Sequence, residues 1–252
     1  MESQPLVSVI MPCYNMAQFV SGSIESVQFQ SYKNWELLIV DDASTDNSVG
    51  IVKSYCAQDE RIHLFMKNIH SGIADSRNQA IRMAQGHFLA FLDADDIWHP
   101  EKIECQLHFM TEKHVGFSYS TYDWIDENGQ TLNKVIKTVG NITYKDYLRN
   151  TVIGCSTVMV DTEIVGEVVV PNFRTSEDTA TWLNILKQGF VAYAIETPLV
   201  SYRIRRKSAS SNKFKAARDL WSVYRKQEKL STIQASGYFC SYAYNALKRH
   251  LS

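Results

Sequence analysis

The sequence has few cysteines and no paired ones. Five cysteines are spread over 252 residues, and no two of them form a Cys-x-x-Cys motif. This spacing provides neither the ligand pairs of a zinc site nor the framework of a disulfide-stabilised domain. We therefore expect free thiols in a protein of a reducing compartment.

Long hydrophobic runs and an excess of positive charge are also missing. No segment reaches the roughly 18 uncharged apolar residues that span a membrane, and residues 1–10 lack the features of a signal peptide. The 26 Lys and Arg are balanced by 27 Asp and Glu, which leaves no surplus cations to neutralise nucleic-acid phosphates. We expect a cytoplasmic protein without a nucleic-acid partner, with peripheral contact to the cytoplasmic face of the inner membrane as an alternative.

A glycine-rich loop does not follow the first apolar run. Residues 7–15 contain no glycine, so the chain has neither the Gly-x-Gly-x-x-Gly motif of dinucleotide-binding proteins nor a triphosphate-binding loop. This argues against a nicotinamide-dependent dehydrogenase and weakens the case for a nucleotidyltransferase.

Short apolar runs alternate with helical patterns along the first hundred residues. The runs at 6–11, 35–40, 61–66 and 87–92 read as buried strands, and helices are predicted at 16–30, 44–55 and 73–84. This alternation predicts an α/β fold whose central sheet is mostly parallel, as in Rossmann-like proteins, because strand–helix–strand crossovers join parallel strands. Gly86 is expected in a left-handed conformation at the end of the third helix.

The remainder of the chain predicts a less regular second half. Strands are expected at 115–125, 156–160 and 190–195, and helices at 100–113 and 179–188, the latter ending at Gly189. After Arg203 a basic, polar composition predicts two further helices. We divide the chain into a first half (1–98), a second half of the same domain (99–205), and a basic loop with C-terminal helices (206–252).

Acidic residues follow two of the predicted strands. Asp93, Asp95 and Asp96 come directly after the fourth strand, and Asp41 and Asp42 come after the second. Ligands gather at the carboxyl ends of strands in open α/β sheets, and clustered carboxylates favour a cation such as Mg²⁺ or Mn²⁺. The alternatives are a solvated acidic turn for the first group and helix capping for the second.

Four ordered motifs are similar to those of the family-2 glycosyltransferases, which have the GT-A fold. They read SVIMPCYN at 8–15, ELLIVDDASTD at 36–46, GIADSRN at 72–78 and GHFLAFLDADD at 86–96. The resemblance implies an inverting glycosyltransferase of bacterial surface-polysaccharide synthesis, such as that of O-antigen. It would use Mn²⁺ or Mg²⁺ to move a sugar from a nucleotide-diphosphate-sugar, expected to be a UDP-sugar, to a glycan or lipid-linked oligosaccharide.

The resemblance also implies that residues 1–98 form the nucleotide-sugar-binding half and residues 99–205 the acceptor-binding half, and it implies the roles of particular residues. Asp95, with Asp93, would hold the metal, and His70 departs from the asparagine that the family often has near that position. The residues expected to bind the donor are Pro12, Tyr14, Asn15, Asp41, Asp42, Arg77, Asp93, Ala94 and Arg205.

In the second half, residues 176–185 resemble the family's acidic acceptor-side motif. Asp178 matches the carboxylate that acts as general base, and Glu177 and Trp182 are expected on the acceptor side. A carboxylate within hydrogen-bond reach of a sugar hydroxyl can remove its proton during attack. The alternative is an acidic first turn that complements the helix dipole.

The C-terminal segment mixes basic and aromatic residues at helical spacing. Such helices either pack their aromatic side chains on the core or lie on an anionic membrane surface, and both remain open. For the whole chain the alternatives are a non-catalytic nucleotide-sugar-binding protein of the same fold and a nucleotidyltransferase.

Overall fold

The computed structural model describes residues 4–205 and 213–251, and the basic loop expected between them lies outside the described residues. Within these ranges the chain forms one nine-stranded sheet. The strands are β1 (Val7–Cys13), β2 (Trp35–Asp41), β3 (Ile62–Met66), β4 (Phe88–Phe91), β5 (Ile97–Trp98), β6 (Phe117–Ile125), β7 (Thr131–Ile136), β8 (Met159–Asp161) and β9 (Tyr193–Arg203). Their order in the sheet is β3-β2-β1-β4-β8-β6-β9-β5, with β7 paired to β6.

Helices cover the sheet, and two shorter helical turns connect the elements. The turns are the 3₁₀ segment Cys155–Thr157 and the π segment Val223–Gln227. The helices are α1 (Val20–Gln28), α2 (Ser48–Cys56), α3 (Ile73–Met83), α4 (Lys102–Lys113), α5 (Tyr144–Arg149), α6 (Thr162–Val165), α7 (Glu177–Leu186), α8 (Lys213–Ser222) and α9 (Thr232–Leu251). This confirms the predicted α/β fold with its helical extension.

Strands β1 to β4 form the parallel part of the sheet, as predicted. Every residue of β1 and β2 is buried, because helices cover both faces of a parallel sheet. Successive side chains of β1 point to opposite faces, so Val9 and Met11 enter one hydrophobic core and Ile10 enters the other. The carboxyl ends of β1, β2 and β4 consequently meet at one edge.

The second half continues the same sheet with mixed strand directions. Strand β8 pairs antiparallel with β4 and β6, whereas β6 pairs parallel with β9. The strand expected at 156–160 begins later, because residues 155–157 form the 3₁₀ turn. The strand expected to end at 195 continues through Pro198 to Arg203, and the pairing with β6 shifts register on either side of Thr121, the partner of Pro198.

The C-terminal helices present two different faces. Leu220, Tyr224 and Ala235 are buried in the core that contains α7, and the Tyr224 hydroxyl donates to the Leu148 carbonyl at 2.6 Å. The outer face of α9 is exposed, including Ile233 and Tyr244. Among the described helices, none combines the length and apolar character that a membrane crossing requires.

Candidate active site

A cavity of about 940 Å³ opens at the edge where β1, β2 and β4 end. It extends from residues 12–16 and 70–77 across the acidic turn at 93–95 to residues 151–155, 172–178 and 202–205. Nearly all of the predicted site residues line it, including Pro12, Tyr14, Asn15, Ala94 and Asp178. The topology therefore brings side chains from both halves of the chain to one site.

The carboxylate of Asp42 at one end of the cavity is surrounded by donors from the chain itself. One oxygen accepts from the Ser71 N–H at 3.0 Å and pairs with Lys67 Nζ at 2.8 Å, and the other accepts from the Gly72 N–H at 2.7 Å. Burial raises the pKa of Asp42, but the hydrogen bonds from Lys67, Ser71 and Gly72 outweigh it and lower the pKa overall. Asp42 is therefore a fixed anion at neutral pH.

His70 and Tyr14 form the wall beside this carboxylate. Their rings stack with centroids 4.1 Å apart and planes 28° apart, and His70 Nδ1 lies 2.7 Å from the second oxygen of Asp42. Asn15 shapes the adjoining turn, since its side-chain oxygen accepts from the Thr45 N–H at 2.8 Å. The imidazole thus contacts the same Asp42 oxygen that accepts from the Gly72 N–H.

Asp41, expected to bind the donor beside Asp42, does not face the cavity. Consecutive side chains at the end of a strand point in different directions, and the Asp41 carboxylate turns inward, where it accepts from the Ser44 N–H at 2.9 Å. Its other oxygen is buried without a hydrogen-bond partner. Asp41 therefore does not line the cavity, and its contact with the donor stays a prediction.

Arg77 connects the two halves of the cavity. Its helix α3 buries Ala74, Arg77 and Ala80 at three-residue spacing, which turns this guanidinium towards the sheet edge. There it donates to Asp93 Oδ1 at 2.6 Å and to Glu177 Oε1 at 3.0 Å. Its Nε has no hydrogen-bond partner. Arg77 is therefore a buried cation shared by carboxylates of both halves.

Glu177 and Asp178 begin α7 at the opposite end of the cavity from Asp42. Burial raises the pKa of Glu177 to about 7 despite the neighbouring Arg77. Burial likewise raises the pKa of Asp178, which Arg77 and the Thr179 N–H offset only in part. One oxygen of Glu177 has no hydrogen-bond partner. These carboxylates accept protons more readily than Asp42 does.

The acidic turn after β4 contains two cavity-lining carboxylates and one structural carboxylate. Asp96 is almost completely buried and accepts from the Ser156 hydroxyl at 2.6 Å and the Arg203 N–H at 2.9 Å, which anchors the turn to β9. Asp95 pairs with Arg205 at 2.6 Å. Burial and the nearby Asp93 raise the pKa of Asp95, and Arg205 opposes them. Asp93 and Asp95 are therefore close enough to repel each other.

This carboxylate pair fits a divalent cation. Asp93 and Asp95 offer only oxygen ligands, which Mg²⁺ and Mn²⁺ prefer, and added positive charge would relieve the repulsion that raises the pKa of Asp95. The described cavity lining contains five carboxylates and four guanidinium groups, so a bound diphosphate would add to an existing negative charge.

Trp182, expected on the acceptor side, lies in the hydrophobic core. Its ring contacts Phe91 and Phe117 with centroid distances of 5.1 and 5.4 Å, and only 1% of its surface is exposed. Most of α7 is buried, and Trp182 lies one turn beyond Asp178 on the side that faces the sheet. Trp182 therefore does not line the cavity, and its place on the acceptor side stays a prediction.

Lys67 and Arg203 were not anticipated as site residues. Lys67 follows β3, whose pairing with β2 sets Met66 beside Asp41, so the next residue reaches Asp42. A basic residue directly after a strand was the available signal. Arg203 ends β9 and donates to the Asp95 carbonyl at 2.7 Å, a position that only the observed extension of β9 reveals.

Two curated proteins are similar to almost the whole chain. TuaG of Bacillus subtilis (strain 168), a glycosyltransferase provisionally assigned to teichuronic acid biosynthesis, is 46% identical over 98% of each chain. WfgD of Escherichia coli is 40% identical over 86% of this chain and 85% of its own. WfgD is named as a UDP-Glc:alpha-D-GlcNAc-diphosphoundecaprenol beta-1,3-glucosyltransferase.

Solved structures share the fold at lower sequence identity. Staphylococcus aureus TarS with UDP-GlcNAc matches 98% of this chain and 72% of its own, with a TM-score of 0.71 and 17% identity. The Pyrobaculum calidifontis mannosyltransferase PcManGT, solved with GDP-Man and Mn²⁺, matches 94% and 70%, with a TM-score of 0.71 and 18% identity.

A family model confirms the resemblance seen in the four motifs. The model described as "Glycosyl transferase family 2" matches residues 8–160, which cover more than half of the chain. Together with the relatives of high identity, this match shows that the chain belongs to glycosyl transferase family 2 and is a glycosyltransferase.

Proposed function

We propose that this glycosyltransferase moves a sugar from a UDP-sugar to a hydroxyl of a lipid-linked oligosaccharide or glycan in surface-polysaccharide synthesis, with inversion at the anomeric carbon. The observation that carries the proposal is the shared cavity, in which Asp42, Asp93 and Asp95 face Glu177 and Asp178. The names of WfgD and TuaG support this donor, acceptor and pathway class.

The nucleoside would bind at the Asp42 end of the cavity. Asp42 is a fixed anion that can accept a hydrogen bond from a base N–H once His70 moves from its second oxygen. Tyr14 offers a ring face for the base, and Pro12 and Asn15 complete the wall. The diphosphate would then lie towards Asp93 and Asp95, within reach of Arg205.

Asp93 and Asp95 would hold Mn²⁺ or Mg²⁺. Such an ion supplies Lewis-acid stabilisation of the negative charge that develops on the departing diphosphate. Arg205 contributes positive charge from the chain itself, because its guanidinium already contacts Asp95 and can instead contact a phosphate oxygen.

Asp178 would act as the general base. It lines the cavity beyond Arg77, and burial raises the pKa of its carboxyl so that it accepts a proton more readily than an exposed aspartate. As Asp178 removes the proton, the acceptor oxygen bonds to the anomeric carbon and the bond to the diphosphate breaks. The leaving UDP keeps the electron pair, and this single displacement inverts the anomeric centre.

The test is a transfer assay with a panel of UDP-, GDP- and dTDP-sugars, each with a polyprenyl-diphosphate N-acetylglucosamine acceptor and Mn²⁺ or Mg²⁺. We expect UDP release and a product whose new linkage, read by NMR coupling constants, has the opposite configuration to the donor. Asp178→Asn should retain binding of UDP but lose transfer. Retained configuration, or transfer only from other nucleotide sugars, would overturn the corresponding part of the proposal.

A further inference from the structure

The C-terminal helices have an inner face that docks on the enzyme and an outer face that contacts nothing in the described chain. The inner face contributes Tyr224 and Ala235 to the core, and the Gln227 amide donates to the Ala180 carbonyl of α7 at 2.9 Å. These contacts fix α9 against the body of the protein. Its outer face is therefore a rigid surface.

The outer face of α9 carries no charge and exposes a strip of apolar side chains. Ile233, Tyr244 and Leu247 are 86%, 70% and 62% exposed, and exposed Gly237 and Cys240 lie between them at helical spacing. No Asp, Glu, Lys, Arg or His occurs from residue 232 to 247. The strip from Ile233 to Leu247 is about 21 Å long at the rise of an α-helix. Exposed apolar strips of this length mark surfaces that are covered in use.

Positive charge flanks the strip at both ends. Exposed Arg225, Lys226 and Lys229 precede α9, and Lys248 and Arg249 follow the uncharged run in the sequence. Residues 213–252 contain eight Lys or Arg and two Asp or Glu, whereas residues 1–212 contain 18 and 25. The near-zero net charge of the whole chain is therefore the sum of a basic C-terminal segment and an acidic remainder.

Both acidic residues of this segment are turned towards the enzyme. Glu228 is buried, accepts from the Tyr144 hydroxyl at 2.6 Å and pairs with Lys187 at 3.0 Å. Asp219 accepts from the Thr175 hydroxyl at 2.7 Å. Neither carboxylate offsets the cations that flank α9.

The strip is attached to the elements that form the second half of the cavity wall. Helix α9 packs on α5, where the Asn245 side chain donates to the Arg149 carbonyl at 3.2 Å, and the chain directly after α5 lines the cavity at residues 151–155. Thr175, which holds Asp219 of α8, also lines it. A surface bound to the strip would therefore lie beside this part of the enzyme.

We propose that the outer strip of α9, together with its flanking cations, binds an anionic lipid surface. Apolar side chains would enter the boundary between headgroups and acyl chains, and the cations would contact anionic headgroups. A second copy of the chain is a less suitable partner for the strip. Because cations flank the strip on both sides, pairing two copies, parallel or antiparallel, would place the cations of one copy beside those of the other. Delivery of a lipid-linked acceptor to the cavity rests on the proposed function, but lipid binding does not.

The experiment is cosedimentation of the full chain with vesicles of phosphatidylcholine alone or mixed with phosphatidylglycerol. We expect the wild-type chain to bind the mixed vesicles. Tyr244→Glu and Ile233→Glu should each lower the affinity for these vesicles at least tenfold. The double variant Lys226→Glu, Lys229→Glu should also bind more weakly, and its difference from wild type should shrink as the salt concentration rises. Phe29→Glu is the matched control, because Phe29 is 70% exposed at the end of α1 and should bind as wild type does.

Two results would overturn the proposal. One is vesicle binding by Tyr244→Glu and Ile233→Glu that equals wild type. The other is a concentration-dependent dimer in analytical ultracentrifugation that Tyr244→Glu dissociates, without vesicle binding by wild type. Failure of UDP-sugar transfer to a water-soluble N-acetylglucosamine diphosphate would refute the proposed function and leave vesicle binding unaffected, so the two failures are distinguishable.

Discussion

The two ends of the cavity hold carboxylates in opposite electrostatic surroundings. At one end, two backbone N–H groups, Lys67 and His70 converge on Asp42, and hydrogen bonds lower its pKa despite burial. At the other end, burial raises the pKa of Glu177 and Asp178, and Arg77 is the nearby cation that opposes it. The same chemical group is therefore a fixed anion at one end and a proton acceptor at the other.

This difference follows from which elements supply the hydrogen-bond donors. Asp42 faces the loop before α3, whose free N–H groups point at the carboxylate, as at the start of most helices. Asp178 lies in the first turn of its own helix and accepts from the Thr179 N–H at 2.6 Å. Under the proposed function, Asp42 recognises the nucleotide and Asp178 removes a proton, and these two roles need these two different conditions.

The largest expected effects come from neutralising the carboxylate at one end of the cavity or at the other, by replacing Asp178 or Asp42 with asparagine. Asp178→Asn should lower kcat by about 10²–10⁴-fold, the usual contribution of a positioned general base, with donor affinity nearly unchanged. Asp42→Asn should instead raise the donor KM about tenfold, since a carboxylate acceptor is stronger than an amide. Steady-state kinetics for both variants would separate the roles, and a kcat defect in Asp42→Asn alone would reverse them.

Removing the shared cation should cost stability. Arg77→Gln leaves Asp93 and Glu177 without their buried partner, and breaking one side of a buried ion pair typically costs about 3–5 kcal/mol. Urea unfolding measures this directly. Arg82→Gln is the control on the exposed face of the same helix and should stay within about 0.5 kcal/mol of wild type.

The raised pKa of Glu177 makes stability depend on pH. Its ordinary pKa is 4.5 and its folded pKa is about 7, so between these values the unfolded chain has lost a proton that the folded chain keeps. Stability from this group therefore falls as pH rises from 4.5 to 7, by up to about 1.4 kcal/mol per pH unit. Urea titrations at pH 5, 6, 7 and 8 should show a shallower fall in Glu177→Gln than in wild type.

Glu196→Gln provides the reference for that experiment. Glu196 is exposed on β9, outside the cavity lining, so its variant should reproduce the wild-type slope. If Glu177→Gln and wild type have the same slope between pH 5 and 7, the contrast between the two ends of the cavity does not exist at Glu177.

The smallest expected effect concerns His70. Its imidazole contacts the Asp42 oxygen that a base would use, and His70→Asn removes this competitor while leaving the Ser71 and Gly72 hydrogen bonds in place. We expect about threefold tighter binding of UDP, or ~0.6 kcal/mol, by isothermal titration calorimetry. Weaker binding would show that the stacked imidazole supports the base instead of competing with it.

The sequence predicted the parallel part of the fold and all five carboxylates that line the cavity. Short, mainly apolar runs at β1, β2 and β4 have few interpretations other than buried strands, and the acidic residues directly after β2 and β4 had to lie at one sheet edge. Arg77 was also found, through its place in the motif at 72–78 that resembles the family. Local pattern was sufficient wherever one element alone fixed the position of a side chain.

Positions set by tertiary contacts were not predictable in this way. The strand expected to end at residue 195 continues past Pro198 as β9, because β6 is available as a partner. Gly86 does not have the expected left-handed conformation and is needed because a side chain there would meet the Leu6 carbonyl at 2.2 Å. In contrast, Gly189 has the expected positive φ of 100°, since a helix end is a local property.

The contact between Arg77 and Glu177 joins residues that are 100 positions apart, and the Asn78 amide bonds to Val170 across 92 positions. Contacts of such long sequence separation form late in folding, because closing a long loop costs entropy before any contact rewards it. During synthesis β1, β2 and β4 emerge well before α7. The cavity therefore gains Glu177 and Asp178 only when the second half has folded onto the first, which, under the proposed function, couples catalytic competence to the completion of the fold.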